Sequence, residues 1–200
     1  MRTNAPALLP ILRSQVQGDI LALTYLSPDC EFSVTEIARR VGASVKASQH
    51  EVARLVTAGF LADRRSGGSR LVRAVTDSPL SRPLSDLITL TYGPLPVLTQ
   101  ELSRVFGVEK AALYGSWAAR YQGEAGPPPN DIDVLVIGTA DLDDLDDVAR
   151  RAQARLGREV NIRRVRPDAW RDQATDDAFL ESVRSRPLVE LDLAHVRGAA

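Results

Sequence analysis

The sequence predicts an α+β chain of two domains joined by helices, and three observations carry that expectation. In the first half, apolar residues recur at helical spacing and then give way to a short basic hairpin pattern. In the second half, apolar strand runs are interleaved with amphipathic helical stretches. Charge is divided unevenly as well. Residues 33–75 carry a net charge of +5, while the whole chain carries −1, so the remainder is acidic.

Composition narrows the possibilities. A 200-residue chain that is 44% hydrophobic can bury one large core or two small ones. Its near-zero net charge argues against general disorder. Cys30 is the only cysteine, which excludes an intramolecular disulfide and a cysteine zinc cluster. It is expected to be a small apolar residue near a helix end. No apolar run is long enough for a membrane span, and the first residues lack a signal-peptide pattern. The expected compartment is the cytoplasm. Abundant arginine and alanine with scarce lysine point to a GC-rich bacterial genome.

Val16, Ile20, Leu21 and Leu23 form an apolar stripe, so residues 8–25 read as helix, ended by Ser27-Pro28-Asp29. Ser33 stands three residues before Glu36, a capping spacing, and a helix over 34–41 follows to Gly42. Ser44 caps a further helix to about residue 58, with Gly59 at its left-handed end position. Two short helices around a glycine-containing turn make a helix-turn-helix. Residues 60–65 and 70–75 then read as strands around the turn Ser66-Gly67-Gly68-Ser69.

Helix, turn, helix and basic hairpin make residues 31–75 resemble the winged helix-turn-helix domain of ArsR-like bacterial regulators. On the second helix, Ala43, Ser48, Val52 and Leu55 are expected to face inward, leaving Ser44, Lys46, Gln49, His50 and Arg54 for DNA. Gln49 suits adenine, and Lys46 suits guanine or phosphate. Arg64, Arg65 and Arg70 on the hairpin would hold the phosphate backbone of double-stranded DNA. The same charges could instead be solvated, on a domain used for protein contacts.

Leu84, Leu87, Ile88 and Leu90 mark one connecting helix, and Val97, Leu98, Leu102, Val105 and Phe106 mark another. Winged regulators pair recognition helices on paired half-sites, so a homodimer is expected. The expected boundaries are 1–77 for the DNA-binding domain, 78–107 for a helical connector and 108–200 for the second domain.

In the second domain, Ala111-Ala112-Leu113-Tyr114 is a short strand running into Gly115-Ser116 and a helix start, an arrangement that presents backbone N–H groups to an anion. After a loop rich in glycine and proline, Asp131-Ile132-Asp133 opens an apolar strand. Residues two apart on a strand share a face, so both carboxylates point the same way. They either hold a cation or stay wet.

The order Gly-Ser, loop, Asp-x-Asp resembles the MNT-type members of the polymerase-β nucleotidyltransferase superfamily, over residues 108–193. The resemblance implies a mixed sheet flanked by helices. It implies that Gly115 and Ser116 hold the phosphates of a nucleoside triphosphate, with ATP expected. It implies that Asp131 and Asp133 bind magnesium or manganese as catalytic carboxylates. Active members use a third carboxylate on a later strand. Here Asn161 falls at that position, with Glu159 two residues earlier on the same face. An amide is a poor base, so nucleotide binding is expected to survive better than catalysis.

The run Asp141 to Asp147 reads as an acidic helix start, with Leu142, Leu145, Val148 and Ala149 as its buried stripe. Trp170 and Phe179 read as core or partner anchors, and residues 187–191 as a closing strand. The functional expectation is a sequence-specific DNA-binding transcriptional regulator carrying a domain that binds Mg-nucleotide with weak or absent transfer. One rival is an antitoxin-type enzyme that transfers a nucleotide monophosphate onto a HEPN-type toxin. Another is a protein-interaction scaffold.

Overall fold

The computed structural model describes residues 12–124, 126, 128–172 and 177–194. The chain divides into two compact units, Met1–Gly93 and Pro94–Ala200. None of the helices among the described residues is long and apolar enough to cross a membrane.

The first unit begins with α1 (Gln15–Tyr25), capped by Ser14, whose hydroxyl accepts from the Gln17 N–H at 3.1 Å. The part of the expected helix before residue 12 lies outside the described residues. β1 (Phe32–Ser33) leads into α2 (Val34–Arg40), where Ser33 accepts from the Glu36 N–H at 3.1 Å. The Glu36 carboxylate turns outward to Arg40 at 2.8 Å. Gly42 takes the left-handed conformation that lets the chain turn into α3 (Val45–Thr57). β2 (Leu61–Ser66) and β3 (Ser69–Ala74) form the expected hairpin, and α4 (Ser81–Tyr92) follows.

The strands form an antiparallel sheet in the order β1-β3-β2. Ile20, Ile37, Val52, Leu61, Val72 and Ile88 are buried and bring α1, α2, α3, α4 and one sheet face into a single core. The Tyr25 hydroxyl donates to the Phe60 carbonyl at 2.9 Å, which ties α1 to the root of the hairpin. Cys30 is exposed, because it precedes β1 in the loop after α1 rather than packing against a helix end.

The second unit contains α5 (Pro94–Leu102), β4 (Val108–Tyr114), α6 (Gly115–Tyr121) and β5 (Asp131–Gly138). It continues with α7 (Leu142–Leu156), β6 (Glu159–Val165), α8 (Pro167–Arg171), α9 (Ala178–Arg184) and β7 (Val189–Glu190). The residues expected as one connector are thus divided at Gly93, with α4 in the first unit and α5 in the second.

The second sheet is mixed, in the order β6-β5-β4-β7, with β5 parallel to β6 and antiparallel to β4. Strand alternation divides β5 between two faces. Leu135 and Ile137 join Val165, Leu180 and Val183 in a cluster against which Trp170 and Phe179 pack. Ile132, Val134 and Val136 are buried on the other face. Buried Glu101 on α5 pairs with Arg151 at 2.8 Å and Arg155 at 3.5 Å on α7. Along α7 the buried residues are Leu145, Val148, Ala152 and Leu156. Leu142, the first residue of the helix, is exposed and Ala149 is only half-buried, contrary to the expected stripe, because the buried positions begin one turn later, at Leu145. The acidic start is explained locally, since the Asp141 carboxylate caps the helix by accepting from the Asp143 N–H at 2.8 Å.

Candidate functional sites: an exposed helix face and a cavity beside Asp133

In the first unit, α3 presents two unlike faces. Ser48, Val52 and Leu55 are buried, whereas Lys46, Gln49, His50 and Arg54 are exposed. This follows from the 3.6-residue period. Ala43 lies before the helix and is only half-buried. Ser44 is already engaged, because its hydroxyl accepts from the Ala47 N–H at 3.2 Å as the helix cap. Arg54 folds back along its own helix to Glu51 at 3.4 Å. Lys46, Gln49 and His50 form no side-chain bonds within the described residues.

The hairpin arginines are less uniform than their sequence implies. In the β2–β3 register, Asp63 faces Val72 and Arg65 faces Arg70, so those side chains continue the core-side face beyond the core. Arg64 faces Leu71 and points to the opposite side. There the Glu31 carboxylate receives both its Nε at 2.8 Å and its second guanidinium nitrogen at 2.5 Å. Arg64 holds the Glu31 carboxyl below the usual carboxylate range, and the charge of Arg73 adds to the effect. Arg70 is bound to Asp63 at 2.6 Å. Arg65 is exposed, with no ion-pair partner among the described residues. The three arginines expected to act as one phosphate clamp therefore lie on two faces, and two of them are paired. Arg73, which the sequence reading did not single out, is exposed on the Arg64 side; simple alternation along β3 could have placed it there.

In the second unit, β4 turns into α6 at Gly115, whose φ is +68°. The left-handed backbone favours glycine, and a Cβ there would stand 2.8 Å from an Asp133 carboxylate oxygen, so any side chain would oblige that carboxylate to shift. Asp133 lies in register with Tyr114 on β4 and with Asn161 on β6. Asp131 lies in register with Glu159. Asp131, Asp133, Glu159 and Asn161 therefore share one sheet face, as their spacing predicted.

Electrostatics single out Asp133. It is half-buried, and loss of water raises its pKa above the usual carboxylate value. The negative charge of Asp131 raises it further, while a hydrogen bond from Asn161 works in the opposite direction. Burial raises the Tyr114 phenol as well, and the charge of Asp133 adds to this. A cation beside Asp133 would relieve both the desolvation and the repulsion.

A cavity of about 660 Å³ opens at this point, with Gly115, Ser116, Ala119, Asp133, Arg186 and Pro187 in its lining. Arg158 holds the loop on one side by donating to the Pro129 carbonyl at 2.6 Å, with its guanidinium 5.8 Å from the centre of the buried Trp117 ring. Of the two aspartates, Asp133 lines the cavity, and Asp131 lies two residues before it on the same face of β5. Among the described residues, no three acidic, histidine or cysteine side chains converge on a metal position. Glu159 thus does not complete a carboxylate triad, and Asn161 is committed to Asp133 as a neutral donor. The sequence reading did not single out Arg186. Its place in the cavity depends on how β7 pairs, which no local motif marks.

No family model and no curated protein matches the chain. Part of it is weakly similar to a solved structure, the crystal structure of the AntR antimony-specific transcriptional repressor. The identity is 24%, the match covers 40% of this chain and 68% of that one, and the TM-score is 0.33.

Proposed function

We propose that this chain is a sequence-specific DNA-binding transcriptional regulator of winged helix-turn-helix type. Its second unit is a nucleotidyltransferase-like domain that binds a nucleoside triphosphate with magnesium or manganese. The observation that carries the DNA reading is the uncommitted exposed row Lys46, Gln49 and His50 on α3, whose opposite face is buried. A helix with a free polar face near its start can reach base edges in the major groove. The hairpin supplies phosphate contacts from Arg65, and from Arg64 and Arg70 once they leave their carboxylate partners. The protein acts as a homodimer, a reading supported by the exposed Leu87 and Leu90 on α4.

Nucleotide binding is supported by the approach of Gly115 to Asp133 and by the cavity beside them. Triphosphate and paired carboxylates repel each other, so a divalent cation between them makes the complex favourable. Transfer of a nucleotide monophosphate onto a toxin partner has less support, because Asn161 cannot accept a proton as a carboxylate does. The deciding experiment is retardation of genomic duplexes by the intact protein at low salt. Selective retention of particular sequences is expected. Failure to retard any duplex overturns the DNA reading.

A further inference from the structure

Arg186 lines the cavity beside Asp133 for a topological reason. Val189 and Glu190 of β7 pair antiparallel with Leu113 and Ala112 of β4. The chain just before β7 therefore runs past the end of β4, where Gly115 and Ser116 form the turn. The segment is held from its other side too. Arg184, at the end of α9, donates to the carbonyls of Ala169, Trp170 and Asp172, at 3.2, 2.5 and 3.0 Å. The Arg186 backbone N–H closes on the Val183 carbonyl at 3.4 Å. With one arginine locked to the backbone, the next is delivered to the cavity wall.

The charges around the cavity make this placement consequential. Its lining includes two acidic residues, Asp133 and Glu124, and two arginines, Arg120 and Arg186. Arg120 is partly occupied, donating to the Glu124 carbonyl at 2.8 Å. Arg186 is exposed and has no ion-pair partner among the described residues. A guanidinium left unpaired in a cavity beside Asp133 matches the geometry and charge of a phosphate, which it can bind through two parallel hydrogen bonds.

We propose that Arg186 is a phosphate-binding residue of this cavity, gripping the polyphosphate of a nucleotide whose divalent cation rests on Asp131 and Asp133. The inference rests on the nucleotide reading above and adds to it a residue outside the Gly-Ser and Asp-x-Asp segments. A triphosphate brings more negative charge than one divalent ion neutralises, and the third carboxylate that would help hold a second ion is replaced by neutral Asn161. Arg186 supplies the missing positive charge from the protein side. This arrangement selects polyphosphates over nucleosides.

Titration calorimetry of the full chain with ATP, ADP and adenosine, each with magnesium, tests the assignment. Wild-type protein is expected to bind ATP more tightly than adenosine. Arg186→Ala is expected to weaken ATP binding by about tenfold to a hundredfold, the range for loss of a charged hydrogen-bonding partner. Adenosine binding should barely change, and Arg186→Lys should recover part of the loss. Because Arg186 is exposed, a thermal melt should match wild type, separating ligand loss from misfolding. Wild-type affinity for ATP in Arg186→Ala, with loss in the double change Asp131→Asn and Asp133→Asn, overturns the role of Arg186 and leaves the nucleotide reading standing. No ATP binding by the wild-type chain with magnesium or manganese overturns both.

Discussion

Asn161 stands directly opposite Asp133 on the parallel β5–β6 pair, and its side-chain amide hydrogen-bonds that carboxylate. The amide eases a carboxylate already burdened by burial and by Asp131, and adds no charge of its own. Asn161→Asp should therefore raise the Asp133 pKa further and lower the melting temperature at neutral pH without divalent ions. Magnesium or manganese should restore the loss and bind more tightly than to wild type. A melting temperature indifferent to both changes would contradict this account.

The raised Asp133 pKa also gives a signed pH effect. A carboxyl whose folded-state pKa lies above its unfolded value favours the fold when protonated, and that contribution is lost as pH rises through the folded pKa. Asp133→Asn should melt higher than wild type at neutral pH, with the difference fading as the solution is acidified through that pKa. Thermal scans across the acid range without divalent ions are the measurement.

Gly115→Ala places a Cβ against Asp133 on a left-handed backbone. The conformational part alone should cost roughly 1–2 kcal/mol. Urea denaturation should show a lower midpoint, and nucleotide binding should fall more than stability does, because the carboxylate must move.

On the hairpin, Glu31 competes with DNA phosphate for Arg64. Glu31→Gln should raise affinity for all duplexes a few-fold and steepen the salt dependence by about one unit, as one more arginine becomes available. Arg65→Ala should flatten the slope by about one unit. Gln49→Ala should instead reduce discrimination between sequences, by roughly 1–3 kcal/mol if its contact with adenine is bidentate. Anisotropy titrations over a salt series separate the three outcomes.

The apolar residues exposed on α4 test self-association. Light scattering at micromolar concentration should report twice the chain mass, and Leu87→Glu with Leu90→Glu should return the monomer. A wild-type monomer that still binds its operator tightly would remove the dimer.

Much of the framework is legible in the sequence itself. Capping serines at 33 and 44, glycines at 42, 59 and 67, and apolar periodicity mark elements that the structure contains, because these signals act within one helical turn or one hairpin. The two-residue spacing of Asp131 and Asp133 determined that they share a face, since strand alternation is itself local. Only the tertiary structure decided which charges are free. The engagement of Arg64 by Glu31, of Asn161 by Asp133 and the delivery of Arg186 to the Gly115 turn each join segments far apart in sequence. Such pairings depend on strand register and packing around whole cores, which identical local sequence can satisfy in several ways until the rest of the chain selects one.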